Sequence, residues 1–370
     1  MQNLSMKHRC TIGFTLFSMF FGAGNLIFPP LLGAQAGRDT LIAMAGLGLT
    51  AVLLPILSVM AVARHDGLTN LVGSIHPVLA VLFAVFVHLM IGPCVAIPRT
   101  ASTSFEMAVA PFLHNSDQTL FLIRCVYSFV FFTAAIMIAL KPTHLKDLLG
   151  KIMTPVLLVL IAVTFFGVLV KLPALFAAPN AYYAGHPIRS GFITGYQTMD
   201  ILAAYNFGTV ISMNIGSFGI TDKKAVASET IRAGIMAGVM LIIVYGATSY
   251  IGAVCSVDFP GAQNGAEILT WAVKACYGIY GQLIIGAIFF IACFNVCVGL
   301  LCCCATFFHE LLPKISYVAW LIIFAVSSFV ISSAGLNFIL TMSLPVLQIM
   351  CPVAILITVY GLIRKPYFRP

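Results

Sequence analysis

Charged residues are scarce in this chain: they make up only 8% of its 370 residues, and just 11 of them are acidic. A soluble domain carries about 25% charged residues, which keep its surface hydrated. The 19 Lys and Arg side chains are too few to do this, and the mean hydropathy is +1.06. The shortage excludes a soluble enzyme, a disordered chain and a coiled coil, and it indicates an integral membrane protein.

The apolar stretches are long enough to predict membrane-spanning helices. Residues 10–37 and residues 125–140 contain no charged side chain. A helix needs about 20 predominantly apolar residues to cross a bilayer, whereas a membrane barrel shows alternating segments of about ten residues, which this sequence lacks. A short surface helix is predicted over residues 265–277. We predict an all-α integral membrane protein with ten transmembrane helices, at residues 11–33, 41–63, 77–110, 119–140, 152–171, 193–218, 231–255, 282–308, 316–334 and 341–362.

The positions of the basic residues predict the orientation of the chain. They separate apolar segments and form neither a face nor a run, so the net charge of +8 does not indicate a nucleic-acid partner. With a cytoplasmic N-terminus, the outer side holds only Arg38, Arg124, Lys171, Arg189 and Lys274, and Arg99 lies within a span. The cytoplasmic side then holds Lys7, Arg9, Arg64, Lys141, Lys146, Lys151, Lys223, Lys224, Arg232, Lys314, Arg364, Lys365 and Arg369. Basic residues are concentrated on the cytoplasmic side of membrane proteins, so we expect both termini there and an even number of crossings.

Ten crossings divide into two sets of five, of which the second must run inverted relative to the first. The connection over residues 172–190 lies close to the midpoint of the chain. We therefore predict one transmembrane transporter domain over residues 1–370, with one repeat at about 1–186 and the other at about 187–370. Inverted repeats and broken helices are typical of many secondary transporters.

Small and polar residues interrupt the first helix of each half. Residues 22–25 read Gly-Ala-Gly-Asn and are followed by Pro29 and Pro30, which cannot donate backbone hydrogen bonds to the previous turn. In the sixth span, residues 206–208 (Asn-Phe-Gly) are predicted to form the corresponding break. Small-residue clusters also mark close helix packing, so an alternative without a binding site stays open at this point.

A helix broken in mid-membrane can bind a zwitterion without a charged side chain. The N–H groups that begin its second half favour a carboxylate, and the C=O groups that end its first half favour an ammonium group or a small cation. A free amino acid carries both charges. Phe14, Phe17, Phe21 and Phe207, together with the eighth span, would provide an apolar wall for a branched aliphatic side chain.

Ionisable residues inside the predicted spans are functional candidates, because they are costly in lipid. Arg99 and Glu106 lie seven residues apart in the third span, and Asp200 lies in the sixth. Structural pairing, gating, and substrate or proton handling are all open for Arg99 and Glu106. Asp200 is a further gating or proton candidate.

The sequence contains no motif that supports an enzyme. No P-loop, acyl-transfer triad or paired-carboxylate site is present, and the cysteine run at residues 302–304 lacks the spacing of a metal site. We expect no enzymatic activity, no cofactor, and no metal other than a coupling ion.

Several segments in order along the chain resemble one family, the branched-chain amino acid:cation symporters, which are the carrier II transporters of bacteria. They are residues 22–30 (Gly-Ala-Gly-Asn-Leu-Ile-Phe-Pro-Pro), 97–101 (Ile-Pro-Arg-Thr-Ala), 104–106 (Ser-Phe-Glu), 195–200 (Gly-Tyr-Gln-Thr-Met-Asp), 264–269 (Asn-Gly-Ala-Glu-Ile-Leu) and 344–347 (Leu-Pro-Val-Leu). The resemblance implies a LeuT-like five-plus-five inverted repeat with broken first and sixth helices, in the bacterial cytoplasmic membrane. It implies import of leucine, isoleucine and valine with Na⁺ or H⁺ by alternating access. The expected partners are then the amino acid, the cation and the lipid bilayer, without an obligate protein partner.

The resemblance also implies roles for individual residues. The amides of Ala23 and Gly24 would hold the substrate carboxylate, and Asn25 would lie near the substrate and a cation. The carbonyls of Ser18 and Phe21 would face a second cation site, which the eighth span completes. The expected substrate residues are Phe21, Gly22, Ala23, Gly24, Asn25, Phe207 and Gly208; the cation residues are Ser18, Phe21, Asn25 and Asn295; the gating or proton candidates are Arg99, Glu106 and Asp200.

The sequence departs from the family pattern in two ways. Members usually have more helices than the ten predicted here, although ten complete the repeat core. Where relatives tend to offer Thr in the eighth span, this chain has Asn295 followed by Val296, and Val296 offers no ligand, so either the Na⁺ site is rebuilt or the ion differs. The competing hypotheses are a symporter of the same fold for another small apolar solute or for a nucleobase, and a sensor or facilitator that does not accumulate its ligand.

Overall fold

The computed structural model describes residues 4–113, 117–259, 261–262 and 264–364, and all regular secondary structure in these ranges is helical. Lys365 and Arg369, two of the basic residues predicted to lie on the cytoplasmic side, are outside the described ranges. The α-helices are α1 Met6–Phe20, α2 Ala23–Ala36, α3 Thr40–Gly48, α4 Leu54–Arg64, α5 Leu68–Gly73, α6 Pro77–Leu89, α7 Ala96–Ala108, α8 Asp117–Ala139, α9 Thr154–Lys171, α10 Pro187–Tyr196, α11 Asp200–Gly216, α12 Lys223–Val254, α13 Gly265–Tyr277, α14 Ile279–Leu311, α15 Tyr317–Ser332 and α16 Leu336–Ile363. Stretches of π-helix at Leu49–Leu53, Met90–Cys94 and Lys146–Met153 and 3₁₀ turns at Gly37–Asp39, Ala110–Phe112 and Pro142–His144 connect some of them. The short helix predicted over residues 265–277 is confirmed as α13.

Seven segments of the described chain are long and apolar enough to cross a membrane: Ala23–Arg64, Pro77–Phe112, Gln118–Ala139, Pro142–Lys171, Lys223–Val254, Ile279–Leu311 and Pro345–Ile363. The first covers 42 residues, which is more than one crossing needs, and the chain turns within it at Gly37, whose φ is 50°. Helices α1 and α10, with 15 and 10 residues, are shorter than a single crossing requires, whereas the apolar helix α15, with 16 residues, is close to that length. The all-helical membrane class is confirmed, and the count of ten crossings stays a prediction.

The outside of the helix assembly is covered by large apolar side chains. Leu41 in α3 is 85% exposed and Val170 in α9 is 80% exposed. Polar side chains such as Asn206 and Thr230 are buried instead. This distribution is unfavourable in water but suits a surface that faces lipid.

The first break separates α1 from α2, where the backbone of Phe21 and Gly22 is extended. The Gly22 N–H donates to Oδ1 of Asn25 at 3.1 Å, so a side chain of the first turn of α2 caps that helix. The break confirms the sequence prediction. Helix α2 continues through Pro29 and Pro30 and does not end at them.

The second break separates α10 from α11, at residues 197–199. Met199 has a left-handed backbone with φ of 68°, and this interrupts the helical conformation before α11 begins. The predicted break at residues 206–208 is therefore wrong, because these residues lie inside the continuous helix α11. Gly208 provides close packing instead: a Cβ at this position would lie 2.9 Å from Cγ1 of Val62 in α4.

The helices form two groups that pack against each other. In the first group, α12 contacts α1, α2 and α4, and α10 and α11 pack on α3 and α4. In the second group, α14 and α15 pack on α7 and α8. Helices α1 and α11 contact α14, and α2 contacts α7, so the two breaks lie where the groups meet.

Glycines bring α2 and α12 into backbone contact. A Cβ on Gly33 would overlap the carbonyl oxygen of Ser249, and a Cβ on Gly252 would overlap the carbonyl oxygen of Pro30. Small residues at a crossing allow membrane helices to pack this closely. The contact fixes α2, with the break at its start, against α12.

We expect Gly252→Ala to destabilise the protein by about 1–3 kcal/mol, because the added methyl group meets a backbone oxygen that cannot move aside. The measurement is thermal unfolding of the purified protein in detergent. Gly246→Ala in the same helix is the control, since a Cβ there meets no atom within 4 Å. The control should unfold at or slightly above the wild-type temperature. Equal unfolding temperatures for the two variants would contradict the backbone contact.

Candidate functional site

The two helix breaks face each other inside the protein. A Cβ on Gly24, in the first turn of α2, would lie 3.3 Å from Cα of Thr198 in the second break. Nδ2 of Asn25 donates to Oδ2 of Asp200, the first residue of α11, at 2.6 Å. The N-terminal ends of α2 and α11 therefore meet, and such ends attract negative charge.

A buried hydrogen-bond network holds the Asp200 carboxylate between the breaks. The Tyr245 hydroxyl, from α12, donates to the same Oδ2 at 3.1 Å. Nδ2 of Asn25 also donates to the Tyr245 hydroxyl oxygen. All three side chains are buried, and Asp200 is 3% exposed. A buried carboxylate needs such donors, because its charge has been removed from water.

Arg99 brings a positive charge to the same place. It belongs to α7, which begins after the kinked π-helical stretch Met90–Cys94, and it is only 5% exposed. Its Nη2 lies against Gly24, where a Cβ would overlap it, and its Nη1 lies 3.5 Å from Sδ of Met199. The site between the breaks thus contains both a buried cation and a buried carboxylate.

A small cavity separates these groups, with about 30 Å³ open to water, which is room for one or two water molecules. The predicted site residues that line it are Gly22, Ala23, Gly24, Asn25, Arg99 and Asp200. Its apolar wall is formed by Met19, Phe20, Ile91, Val296 and Leu300. The cavity therefore has charges of both signs at the breaks and an apolar side.

Three predicted substrate residues lie outside the cavity lining. Phe21 stacks on Phe17, with ring centroids 5.3 Å apart, and Gly208 faces α4. Phe207 contacts the ring of Phe20 edge-on at 4.9 Å and so supports a side chain that does line the cavity. The aromatic residue that lines this cavity is Phe20, and the aromatic wall expected from Phe14, Phe17, Phe21 and Phe207 stays a prediction.

The predicted cation residue of the eighth span has an unusual environment. Asn295 of α14 is fully buried, and neither its amide oxygen nor its amide nitrogen has a hydrogen-bond partner in the described chain. A buried polar group without a partner is costly, and a carbonyl oxygen is a ligand of hard cations. Ser18 donates its hydroxyl to a carbonyl of its own helix at 2.8 Å, which leaves its oxygen free to accept. The adjacent Val296 packs on the first break, since a Cβ on Gly22 would lie 2.7 Å from its Cγ2.

Glu106 lies apart from the breaks. Its carboxylate pairs with Arg124 of α8 at 3.0 Å, and its side chain is 31% exposed. It borders a separate cavity together with its partner Arg124, with Asn264, which caps α13, and with Glu267 of α13. Glu106 thus forms an ion pair in this structure, and its gating or proton role stays a prediction.

Sequence reasoning missed Tyr245, Phe20 and the turn at Met199. Tyr245 lies in an apolar span where a single hydroxyl forms no motif. Positive φ angles are usually adopted by Gly or Asn, so the sequence gives no indication that Met199 has a left-handed backbone. The family resemblance of residues 195–200 and the ionisable Asp200 drew attention to this segment, but neither indicated a turn at Met199.

The structure is similar to that of Mhp1, a nucleobase-cation-symport-1 family transporter solved in a closed conformation with bromovinylhydantoin bound. The TM-score is 0.60, the likeness covers 94% of this chain and 77% of that chain, and the sequence identity is 14%. At this identity the likeness concerns the fold. The fold and the buried site between two helix breaks are those of a helical membrane protein.

Residues 5–369 match the model of a protein family that is described as branched-chain amino acid transport protein. The branched-chain amino acid permease BrnQ of Bacillus subtilis is 36% identical over 356 residues, which are 96% of this chain and 80% of the relative. The permease BraB of the same organism is 35% identical over 364 residues, which are 98% and 81%. The chain therefore belongs to the branched-chain amino acid transport protein family. Because these proteins are permeases, the expectation that the chain is not an enzyme is confirmed.

Proposed function

We propose that this protein is a secondary active transporter that imports leucine, isoleucine and valine by symport with Na⁺ or H⁺. The observation that carries the proposal is the cavity between the two breaks, which holds Arg99, Asp200 and two helix N-termini beside an apolar wall. A branched-chain amino acid presents one positive charge, one negative charge and an apolar side chain. The names of the relatives BrnQ and BraB support this substrate class.

The arrangement of helices supports ten crossings in a single domain with a five-plus-five repeat. Joined across their interruptions, α1 with α2, α3 with α4, α6 with α7, and α10 with α11 each form one crossing, and α8, α9, α12, α14, α15 and α16 form the others. The first and second crossings then pack with the sixth and seventh, and the third and fourth pack with the eighth and ninth. Corresponding crossings of two repeats would pack in this way. The proposed location is the bacterial cytoplasmic membrane, with both termini in the cytoplasm.

Alternating access accounts for the small size of the cavity. A cavity with about 30 Å³ open to water has no room for leucine, so binding requires the two helix groups to separate around it. The breaks lie where these groups meet, so their relative movement would open the site to one side of the membrane and then to the other.

Two features support a coupling cation. Asp200 is a buried carboxylate in contact with Asn25, and it can either accept a proton or provide an oxygen ligand. Asn295 has a buried amide oxygen that no described residue uses. We propose that Asp200 and Asn25 serve the cation site beside the substrate, and that Ser18, the carbonyl of Phe21 and Asn295 serve a second one.

The test is leucine uptake into proteoliposomes under an inward Na⁺ gradient, an inward H⁺ gradient or no gradient. We expect accumulation above equilibrium with one of the two cation gradients and none without a gradient. A tenfold gradient supplies about 1.4 kcal/mol, enough for about tenfold accumulation at one cation per substrate. Excess isoleucine and valine should compete, whereas lysine and uracil should not.

Three outcomes would count against the proposal. Leucine binding without accumulation under any gradient would indicate a sensor or a facilitator. Uptake that is insensitive both to Na⁺ removal and to a protonophore would exclude cation coupling. Competition by uracil but not by valine would indicate that the substrate is another solute of similar size and not a branched-chain amino acid.

A further inference from the structure

We propose that the Arg99 guanidinium binds the carboxylate of the transported amino acid, completing an anion site whose other half is the start of α2. The inference rests on the proposed function, because it concerns the same cavity. It assigns the charge recognition to a side chain of α7, in addition to the backbone of the broken helix.

The first argument is the environment of the Arg99 charge. Arg99 is only 5% exposed. In the described chain, its guanidinium has one hydrogen-bond acceptor, the Met199 sulfur, which lies 3.5 Å away. A thioether is a weak acceptor, and a buried charge without a partner is strongly destabilising. Arg99 takes part in none of the ion pairs formed by described residues. The guanidinium thus has no strong hydrogen-bond acceptor in the described chain.

The second argument is the position of the guanidinium. It lies against Gly24, in the first turn of α2, whose backbone N–H groups have no acceptor within their own helix. The start of a helix carries a partial positive charge, so a guanidinium beside it is repelled unless an anion lies with them. A carboxylate placed there would accept hydrogen bonds from both groups, and the guanidinium fork suits its two oxygens.

The third argument is the remaining charge in the cavity. Asp200 directs Oδ2 to Asn25 and Tyr245, and it forms none of the ion pairs found among the described residues. The two side chains balance each other in net charge without forming an ion pair. A zwitterion can therefore enter with its carboxylate at Arg99 without changing the net charge of the site.

The experiment measures binding of two ligands to the purified full chain in nanodiscs, by competition with labelled leucine or by calorimetry. Leucine is compared with isopentylamine, which has the same side chain and ammonium group but no carboxylate. Arg99→Met should weaken leucine binding about 10- to 100-fold, the range expected for hydrogen bonds to a charged group. Isopentylamine binding should change less than about threefold, because this ligand has no group for Arg99 to bind.

Arg99→Lys tests the same point with the charge kept. It should weaken leucine binding less than Arg99→Met does, about 3- to 10-fold, because an ammonium cannot make the paired hydrogen bonds of a guanidinium. Arg38→Met is the matched control, since Arg38 is exposed in the turn between α2 and α3. It should bind both ligands like the wild type.

The outcomes separate the two proposals. Equal loss of both ligands in the Arg99 variants, or unchanged leucine binding, would overturn the role of Arg99 and leave the transport function standing. If Arg99→Met does not fold, the comparison of the two ligands in Arg99→Lys decides the question. Absence of leucine binding in the wild type would instead count against the proposed function.

Discussion

Asp200→Asn is expected to abolish the gradient-driven accumulation of leucine, so that under a tenfold cation gradient the internal concentration falls from about tenfold above the external one to equality with it. The amide keeps the shape of the side chain but can neither take up a proton near neutral pH nor contribute a negative charge to a cation site. It also leaves the Arg99 charge without its counter-charge in the cavity. The measurement is uptake into proteoliposomes under Na⁺ and H⁺ gradients, with the wild type and the variant reconstituted at equal density.

Asp66→Asn is the matched control, because Asp66 forms an exposed pair with Lys223 at the protein surface. It should accumulate leucine like the wild type, since exposed ion pairs contribute little. Thermal unfolding of both variants shows whether Asp200→Asn is folded. A folded Asp200→Asn protein with wild-type accumulation under either gradient would remove Asp200 from the coupling site.

Gly24→Leu is expected to weaken leucine binding by about 100-fold or more, because the cavity cannot supply the volume of the added side chain without strain in a packed interior. A Cβ at this position already overlaps Nη2 of Arg99 and lies 3.3 Å from Cα of Thr198. The rest of the leucine side chain would fill the space between the two breaks. Equilibrium binding of labelled leucine to the purified protein measures the effect.

Gly246→Leu is the matched control for this substitution, since no atom lies within 4 Å of a Cβ there. We expect it to bind leucine with wild-type affinity. Preserved leucine affinity in a folded Gly24→Leu protein would show that the substrate does not use the space between α2 and the second break.

The first break could be predicted from the sequence because its cause is local. Gly22 has no side chain to favour a helix, and Asn25 stands at the position from which its side chain can cap the following helix. The second break could not be predicted in the same way. Residues 206–208 contain Asn and Gly but remain helical, and Gly208 allows α11 to approach Val62 of α4 closely.

The candidate residues show the same difference between features with a local cause and features that depend on tertiary contacts. Gly24, Asn25, Arg99 and Asp200 were identified because small or ionisable residues are conspicuous in apolar segments, and all four line the cavity. Tyr245 was missed because its role depends on reaching Asp200 across 45 positions of the chain. Periodicity and composition describe one helix at a time, so they do not report which helices meet.

The scarcity of charge and the length of the apolar runs determined the membrane class and the helical fold by themselves, because each residue of a spanning helix must be compatible with lipid or with a packed interior. The first break and the presence of buried charges also followed from the sequence. Only the tertiary structure decided that the second break falls at Met199, that Arg99 lies against Gly24, and that Glu106 pairs with Arg124 away from both. These features depend on contacts between segments distant in the chain, and the energy of such contacts is set by packing and by the pairing of buried polar groups.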